Sequence, residues 1–88
     1  MKLIIAIVKD IDAENVTSAL TVANYRVTTI ASTSGFLRRG LNTMLCGVED
    51  DQVTKALETI RGSYPPADNP EEKRCTIFVL NVGEYIHF

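Results

Sequence analysis

A bend between two apolar stretches carries the residue types best suited to holding a ligand. Residues 34–40 read SGFLRRG, so the apolar pair Phe36 and Leu37 comes directly before two arginines. A bend that only reverses the chain is expected to be polar. Gly35 permits backbone conformations that other residues avoid, and it allows a ligand to approach the backbone closely. The composition of this bend therefore predicts contact with another molecule.

The chemistry available at this bend suits a nucleotide-like ligand. A base stacked on the ring of Phe36 would gain about 1–3 kcal/mol. Arg38 can neutralise a phosphate, and Arg26 can do the same from the preceding strand. Thr28 offers a hydroxyl group, and backbone N–H groups around Gly35 can face a phosphate or a base edge. The alternative is a plain hairpin, in which the apolar pair caps the core and the arginines are solvated.

Groups for catalysis or metal binding are sparse in the sequence. His87 is the one histidine, and Cys46 and Cys75 are far apart and form no C-x-x-C pair. No dinucleotide-binding or P-loop glycine pattern occurs. We therefore expect no catalytic residue and no metal site. A small enzyme that uses His87 as an acid or base remains an alternative hypothesis.

Length and charge narrow the class of protein. A chain of 88 residues predicts one domain over residues 1–88. The formal net charge of −2 argues against electrostatic binding of nucleic acid, which needs a basic face. Both cysteines lie in apolar runs, which favours reduced, buried thiols. The apolar run at the N-terminus is too short to cross a membrane and lacks a signal-peptide cleavage site, so we expect a cytoplasmic protein without membrane contact.

The periodicity of apolar residues predicts the order strand, helix, strand, strand, helix, strand. The strands are expected at residues 2–9, 25–32, 41–48 and 75–82. The first helix is expected at residues 13–24 with Asp12 as its N-cap, and the second from the acidic run 49–51 to Gly62. The prolines predict a loop at residues 63–74. This is the ferredoxin-like βαββαβ pattern, an α+β fold with a four-stranded antiparallel sheet and two helices on one face.

Three segments of the chain, MKLIIAIVKD, RVTTIASTSGFLRRG and MLCGVEDDQV, resemble the PII-like cyclic di-AMP receptor proteins. These are small signal-transduction proteins related to the PII nitrogen regulators. The resemblance covers residues 1–60 and resumes in TIFVLNVGEYIHF near the C-terminus. It implies a homotrimer of ferredoxin-like subunits, with cyclic di-AMP bound in the clefts between them. It also implies a non-enzymatic signalling role with a protein target that the sequence does not identify.

The resemblance also implies which residues contact the ligand. The positions that match the family are Arg26, Thr28, Gly35, Phe36, Leu37 and Gly47. Arg38, Asn42 and His87 complete the expected set, and His87 falls where the family commonly has a glutamine that contacts the ligand. No cofactor is implied besides this ligand.

Two features depart from the family pattern. The family usually reads Gly-Asn-Thr-Thr where this chain reads GLNT, so Leu41 takes the place of the asparagine and Asn42 follows it. Because side chains alternate across a strand, we expect Asn42 on the opposite face unless a bulge intervenes. The loop at residues 63–74 is also shorter than in the family. These departures favour the alternative of a trimeric protein-interaction module that has lost cyclic di-AMP binding or binds another nucleotide.

Overall fold

A computed structural model describes residues 1–30, 40–64 and 75–88 of the chain. The elements are β1 (Lys2–Lys9), α1 (Asp10–Val22), β2 (Val27–Ile30), β3 (Leu41–Val48), a 3₁₀ turn (Asp50–Gln52), α2 (Val53–Gly62) and β4 (Cys75–Asn81). This order confirms the predicted βαββαβ arrangement. The predicted bend at residues 34–40, apart from Gly40, lies outside the described residues. So does most of the predicted loop at residues 63–74.

The four strands form one antiparallel sheet in the order β2-β3-β1-β4. Ile4 in the central strand β1 lies opposite Cys46 of β3 on one side and Val79 of β4 on the other. The second and third strands pair with each other, as the ferredoxin-like pattern implies, with Thr28 of β2 opposite Leu45 of β3. The order and directions of the strands are those of the ferredoxin-like fold.

Both helices pack against one face of the sheet and form the hydrophobic core with it. Each helix contributes two buried residues one turn apart, which is the spacing of a single apolar stripe. The buried core residues are Val16, Leu20, Ala56 and Ile60 from the helices and Ile4, Ala6, Val8, Met44, Cys46 and Val48 from β1 and β3. Among the described residues, no polar or charged residue is buried.

The other face of the sheet has no second layer over it within the described residues. The side chains of β1 that point there are only half-buried, although a nearly continuous apolar run such as residues 2–9 is typical of a strand buried on both faces. Phe78 and Leu80 of β4 and Ile30 of β2 are 51%, 48% and 44% exposed. The register places Ile5 between Leu45 and Phe78 on this face. We call it the open face, and each of the four strands contributes at least one apolar side chain to it.

The N-terminus of α1 differs from the prediction. The helix begins at Asp10, and Asp12 lies inside its first turn, so the prediction of Asp12 as the N-cap was wrong. Lys9 is the N-cap residue and makes no capping hydrogen bond through its side chain. The N–H group of Asp10 instead donates to the carbonyl oxygen of Gly40, 2.7 Å away. A distant backbone carbonyl therefore satisfies a group that we expected a local side chain to satisfy.

The C-terminus of α1 is closed by a Schellman motif. Asn24 has a φ of 69°, the left-handed conformation that asparagine tolerates better than most residues. Its N–H group donates to the carbonyl of Thr21 at 3.0 Å, and the N–H group of Tyr25 donates to that of Leu20 at 2.9 Å. The helix itself ends at Val22, two residues earlier than predicted. This turn sets the direction of the chain between the end of α1 and Arg26.

The remaining helices and strands begin and end close to the residues predicted from the sequence. The acidic run at residues 49–51 leads through the 3₁₀ turn into α2, which ends at Gly62 as predicted. β2 occupies only Val27–Ile30 of the predicted range 25–32 within the described residues, and β4 ends at Asn81. The aromatic tail at residues 85–88 is exposed and forms neither helix nor strand. No described helix is long and apolar enough to span a membrane.

Both cysteines are free thiols, as predicted. Cys46 is buried in the core, and this burial raises the pKa of its thiol. Burial also raises the pKa of the half-buried Cys75, although a hydrogen bond with Tyr64 works in the opposite direction. Because the thiolate is the reactive form, both side chains are held in their unreactive state near neutral pH.

Candidate functional site

A cleft of about 400 Å³ lies between the turn that follows α1 and the segment that joins β3 to α2. This volume is in the range of small-molecule sites, roughly 300–1,000 Å³. Asn24 and Arg26 line the cleft from the turn, and Gly47 and Glu49 line it from the end of β3. Gln52 and Lys55 line it from the 3₁₀ turn and the start of α2. The cleft therefore has two walls that are far apart in the sequence.

The Schellman motif and the sheet register bring Arg26 to this cleft. Val27 lies opposite Cys46, so extension of the same register by one residue brings Arg26 level with Gly47. Arg26 is exposed and has no ion-pair partner among the described residues. Its guanidinium group is thus available to an anion in the cleft.

Gly47 is a second predicted ligand-binding residue that lines the cleft. The packing around this position does not require a glycine. A Cβ atom built there would meet only the Sδ atom of Met1, at 4.0 Å, which is an ordinary contact. The φ angle of Gly47 is not positive, in contrast to that of Gly40, which is 80°. A side chain at this position would instead occupy space at the cleft. The absence of a side chain keeps the floor of the cleft low enough for a ligand to lie against the backbone.

Thr28 continues the same surface along β2. It lies opposite Leu45, which shares its sheet face with Gly47, and it is exposed. Arg26, Thr28 and Gly47 therefore lie along one side of the sheet near the β2 edge. The structure brings together these three of the predicted ligand-binding residues.

A hydrogen bond connects the two walls of the cleft. The hydroxyl group of Tyr25 donates to Oε1 of Gln52, 3.3 Å away. Tyr25 directly precedes Arg26, and Gln52 comes three residues before Lys55. The bond therefore joins the two chain segments from which the cationic side chains extend.

An ion pair lies at the margin of the cleft. The N-terminal ammonium group of Met1 is 3.0 Å from Oδ1 of Asp50. The hydrogen bond from this ammonium group, followed by its charge, lowers the pKa of the Asp50 carboxyl group. Asp50 therefore stays ionised and paired with the N-terminus. Among the described residues that line the cleft, the carboxylate is that of Glu49.

Asn42 lies apart from these residues. The pairing of β1 with β3 runs without a bulge and places Asn42 opposite Val8. Its side chain therefore shares the helix-facing side of the sheet with Met44 and Cys46, as the one-residue displacement from the family pattern predicts. The Oδ1 atom of Asn42 is buried and has no hydrogen-bond partner in the described part of the chain.

His87 also lies apart from Arg26 within one chain. It belongs to the exposed tail after β4, and β4 and β2 are the opposite edges of the sheet. Its ring stacks on that of Tyr85, with the centroids 6.3 Å apart and 12° between the planes. The other predicted residues, Gly35, Phe36, Leu37 and Arg38, lie outside the described residues.

Of the ten described residues that line the cleft, only Arg26 and Gly47 were predicted from the sequence, and Asn24, Gln52 and Lys55 are among those that were missed. Asn24 was interpreted only as a helix end, although its position two residues before Arg26 places it in the same turn. Gln52 and Lys55 are 26 and more residues away from Arg26 in the chain, and no local motif marks them. Only the packing of α2 beside the turn brings them to the cleft.

The chemistry of the cleft is that of anion binding. Arg26 and Lys55 are cationic, Asn24 and Gln52 carry amide groups, and Glu49 is acidic. No group of three or more potential metal ligands occurs among the described residues. The cleft is thus equipped to hold a ligand that carries phosphate groups.

Comparison with known proteins identifies the family. Residues 1–68 of the 88 match the family of cyclic-di-AMP receptors. The structure is also similar to the crystal structure of a functionally unknown protein from Pediococcus pentosaceus, with a TM-score of 0.76 and 32% sequence identity over 99% of this chain and 96% of that one. The family match covers the whole cleft and confirms the resemblance seen in the sequence. The chain belongs to the cyclic-di-AMP receptor family.

Proposed function

We propose that this protein is a non-enzymatic signalling receptor that binds cyclic di-AMP at the interfaces between the subunits of a homotrimer. The observation that carries the proposal is the alignment of Arg26 and Gly47 at a cleft of about 400 Å³ in a chain of the cyclic-di-AMP receptor family. A nucleotide second messenger would reach such a receptor in the cytoplasm. Binding or release of the nucleotide would then change the interaction of the receptor with a protein target.

The residues of the cleft have clear roles in this proposal. The guanidinium group of Arg26 binds a phosphate of the ligand, and Thr28 adds a hydroxyl contact along the same edge. Gly47 lets the ligand lie against the backbone of β3. The bend at residues 34–40 completes the site, where Phe36 stacks on an adenine and Gly35, Leu37 and Arg38 supply further contacts.

The open face supports the proposed trimer. Single exposed apolar residues are ordinary, but a sheet face that no second layer covers and to which all four strands contribute apolar side chains is typical of an interaction site. Association of three copies through this face would cover Phe78, Leu80 and their neighbours. The β2 edge, which carries Arg26 and Thr28, would then lie beside a neighbouring subunit. His87 would then reach the site from such a neighbour, because it follows the opposite edge of its own sheet.

The proposal predicts that the Arg26→Ala variant binds cyclic di-AMP about ten- to a hundredfold more weakly than the wild type. Loss of a charged hydrogen bond costs roughly 1.5–3 kcal/mol, which corresponds to that range of affinity. Isothermal titration calorimetry measures the change. Arg26 is exposed, so its replacement should leave the fold and the melting temperature unchanged.

Arg61→Ala is the matched control, because Arg61 is an exposed arginine that does not line the cleft. We expect this variant to bind with the affinity of the wild type. Equal affinities of the wild type and Arg26→Ala would contradict the proposed site. An equal loss in both variants would show that the arginines act only through the overall charge.

A second candidate function is supported by the position of Asn42. Leu41 stands where the family has an asparagine, and Asn42 points to the helices instead of the open face. A trimer that lacks the polar contact of this asparagine is a candidate protein-interaction module. Such a module would have lost the binding of cyclic di-AMP or would bind another nucleotide. Titration with ATP and cyclic di-GMP beside cyclic di-AMP separates these cases, since a module without a ligand gives no heat with any of the three.

A further inference from the structure

We propose that Lys55 is a second phosphate-binding residue of the cleft, which holds the ligand from the wall opposite Arg26. The inference rests on the proposed function, because it assigns a role to a residue that lines the same cleft. Cyclic di-AMP carries two phosphodiester groups, each with one negative charge. A site for such a ligand gains from more than one cation, and among the described residues that line the cleft Arg26 is one and Lys55 is the other.

Lys55 is placed for this role by the start of α2. Its side chain is exposed and lines the cleft, whereas its carbonyl oxygen accepts a hydrogen bond from the hydroxyl group of Thr59 at 2.9 Å. Asp51 and Glu58 lie about one helical turn to either side of it. Neither forms an ion pair with Lys55 in the described part of the chain. Its ammonium group is thus available to a ligand in the cleft.

The charges around the cleft favour an anion with more than one negative group. Arg26 and Lys55 line the cleft as cations, and Glu49 is the carboxylate among its described lining residues. Asp50, which follows Glu49, is already paired with the ammonium group of Met1. The side chains of the cleft therefore leave one positive charge in excess before a ligand binds.

The hydrogen bond between Tyr25 and Gln52 joins the two chain segments that carry the cationic residues. It joins the residue next to Arg26 to the residue one turn before Lys55, at 3.3 Å. Because this bond restrains both walls before the ligand arrives, less ordering is needed on binding. The two cationic side chains therefore extend into one cleft from segments whose relative position is restrained.

The test is the affinity of Lys55 variants for cyclic di-AMP, measured by titration calorimetry at low and at physiological salt. We expect Lys55→Ala to bind about fivefold more weakly, the size of effect that an exposed charge pair gives. Lys55→Arg keeps the charge and should bind within twofold of the wild type. Because salt screens exposed charges, the wild type should lose more affinity on addition of salt than Lys55→Ala does.

Arg61→Ala, on the same helix but outside the cleft, controls for a general effect of charge and should bind as the wild type does. If Arg26→Ala weakens binding while Lys55→Ala binds as the wild type at both salt concentrations, the role of Lys55 is refuted and the proposed function stands. If Lys55→Ala and Arg61→Ala lose equal affinity, Lys55 acts only through net charge. If the wild type binds no cyclic di-AMP, the proposed function fails and this inference fails with it.

Discussion

The Phe78→Asp variant is expected to be a folded monomer of 9.7 kDa, whereas the proposed wild-type trimer would have a mass of about 29 kDa. Phe78 lies on the open face opposite Ile5 of the central strand and is 51% exposed in the single chain. The single chain should therefore tolerate aspartate there. An interface that buries this position would have to bury an unpaired carboxylate, which costs several kcal/mol for each copy.

Light scattering coupled to size-exclusion chromatography measures the mass, and circular dichroism verifies the fold. Ile11→Asp is the matched control, because Ile11 is also an exposed apolar residue, 84% exposed, but lies on α1. This control should keep the mass of the wild type. A wild-type monomer, or a Phe78→Asp variant that retains the wild-type mass, would contradict assembly through the open face. Because the site is proposed between subunits, the monomeric variant should also lose binding of cyclic di-AMP.

The Leu20→Ala variant is expected to lose about 2–5 kcal/mol of unfolding free energy. Leu20 is 1% exposed and packs into the core between α1 and the sheet. Alanine has the higher helix propensity, so α1 itself is not weakened by the change. The loss therefore reports the removal of buried methyl groups and the cavity that remains. For a small domain it is a large fraction of the total stability.

Urea denaturation measures this loss as a shift of the midpoint. Val22→Ala removes apolar atoms from the same helix at a position that is 83% exposed, and it should change the unfolding free energy by less than about 0.5 kcal/mol. Equal effects of the two substitutions would show that α1 does not pack as described. Both variants should be studied at one protein concentration, because association stabilises the folded chain.

The order of the elements could be predicted from the sequence because each apolar run has a clear period. β1 and β3 have the predicted ends, Lys2–Lys9 and Leu41–Val48, since both runs are bounded by charged or glycine residues. The i, i+4 spacing of Val16 and Leu20 likewise identified the buried side of α1. These features depend on neighbours in the sequence.

The start of α1 could not be predicted in the same way. Its first N–H group is satisfied by the carbonyl oxygen of Gly40, which is 30 residues further along the chain. A local rule selects Asp12 as the N-cap because it cannot include that distant acceptor. The same limit applies to the open face, since the pattern of β1 alone does not show that only one side of the sheet receives helices.

The residues of the candidate site also fall into two groups, those that the sequence predicted and those that only the packing of the elements brings to the cleft. Arg26 and Gly47 were predicted through the resemblance to the family, and the register then explains why they meet. Lys55 carries no local signal and joins the cleft only through the packing of α2. The face on which Asn42 lies was predicted from strand alternation, because a register without a bulge leaves no other outcome.

The measurement that tests the central proposal most directly is calorimetric titration of the wild-type protein with cyclic di-AMP, with the mass of the same sample measured by light scattering. We predict micromolar or tighter binding of about one ligand per subunit in a particle of about 29 kDa, three times the 9.7 kDa chain, and no comparable binding of ATP or cyclic di-GMP. A well-folded protein that binds none of these nucleotides would contradict the proposed receptor and leave the interaction module as the better account.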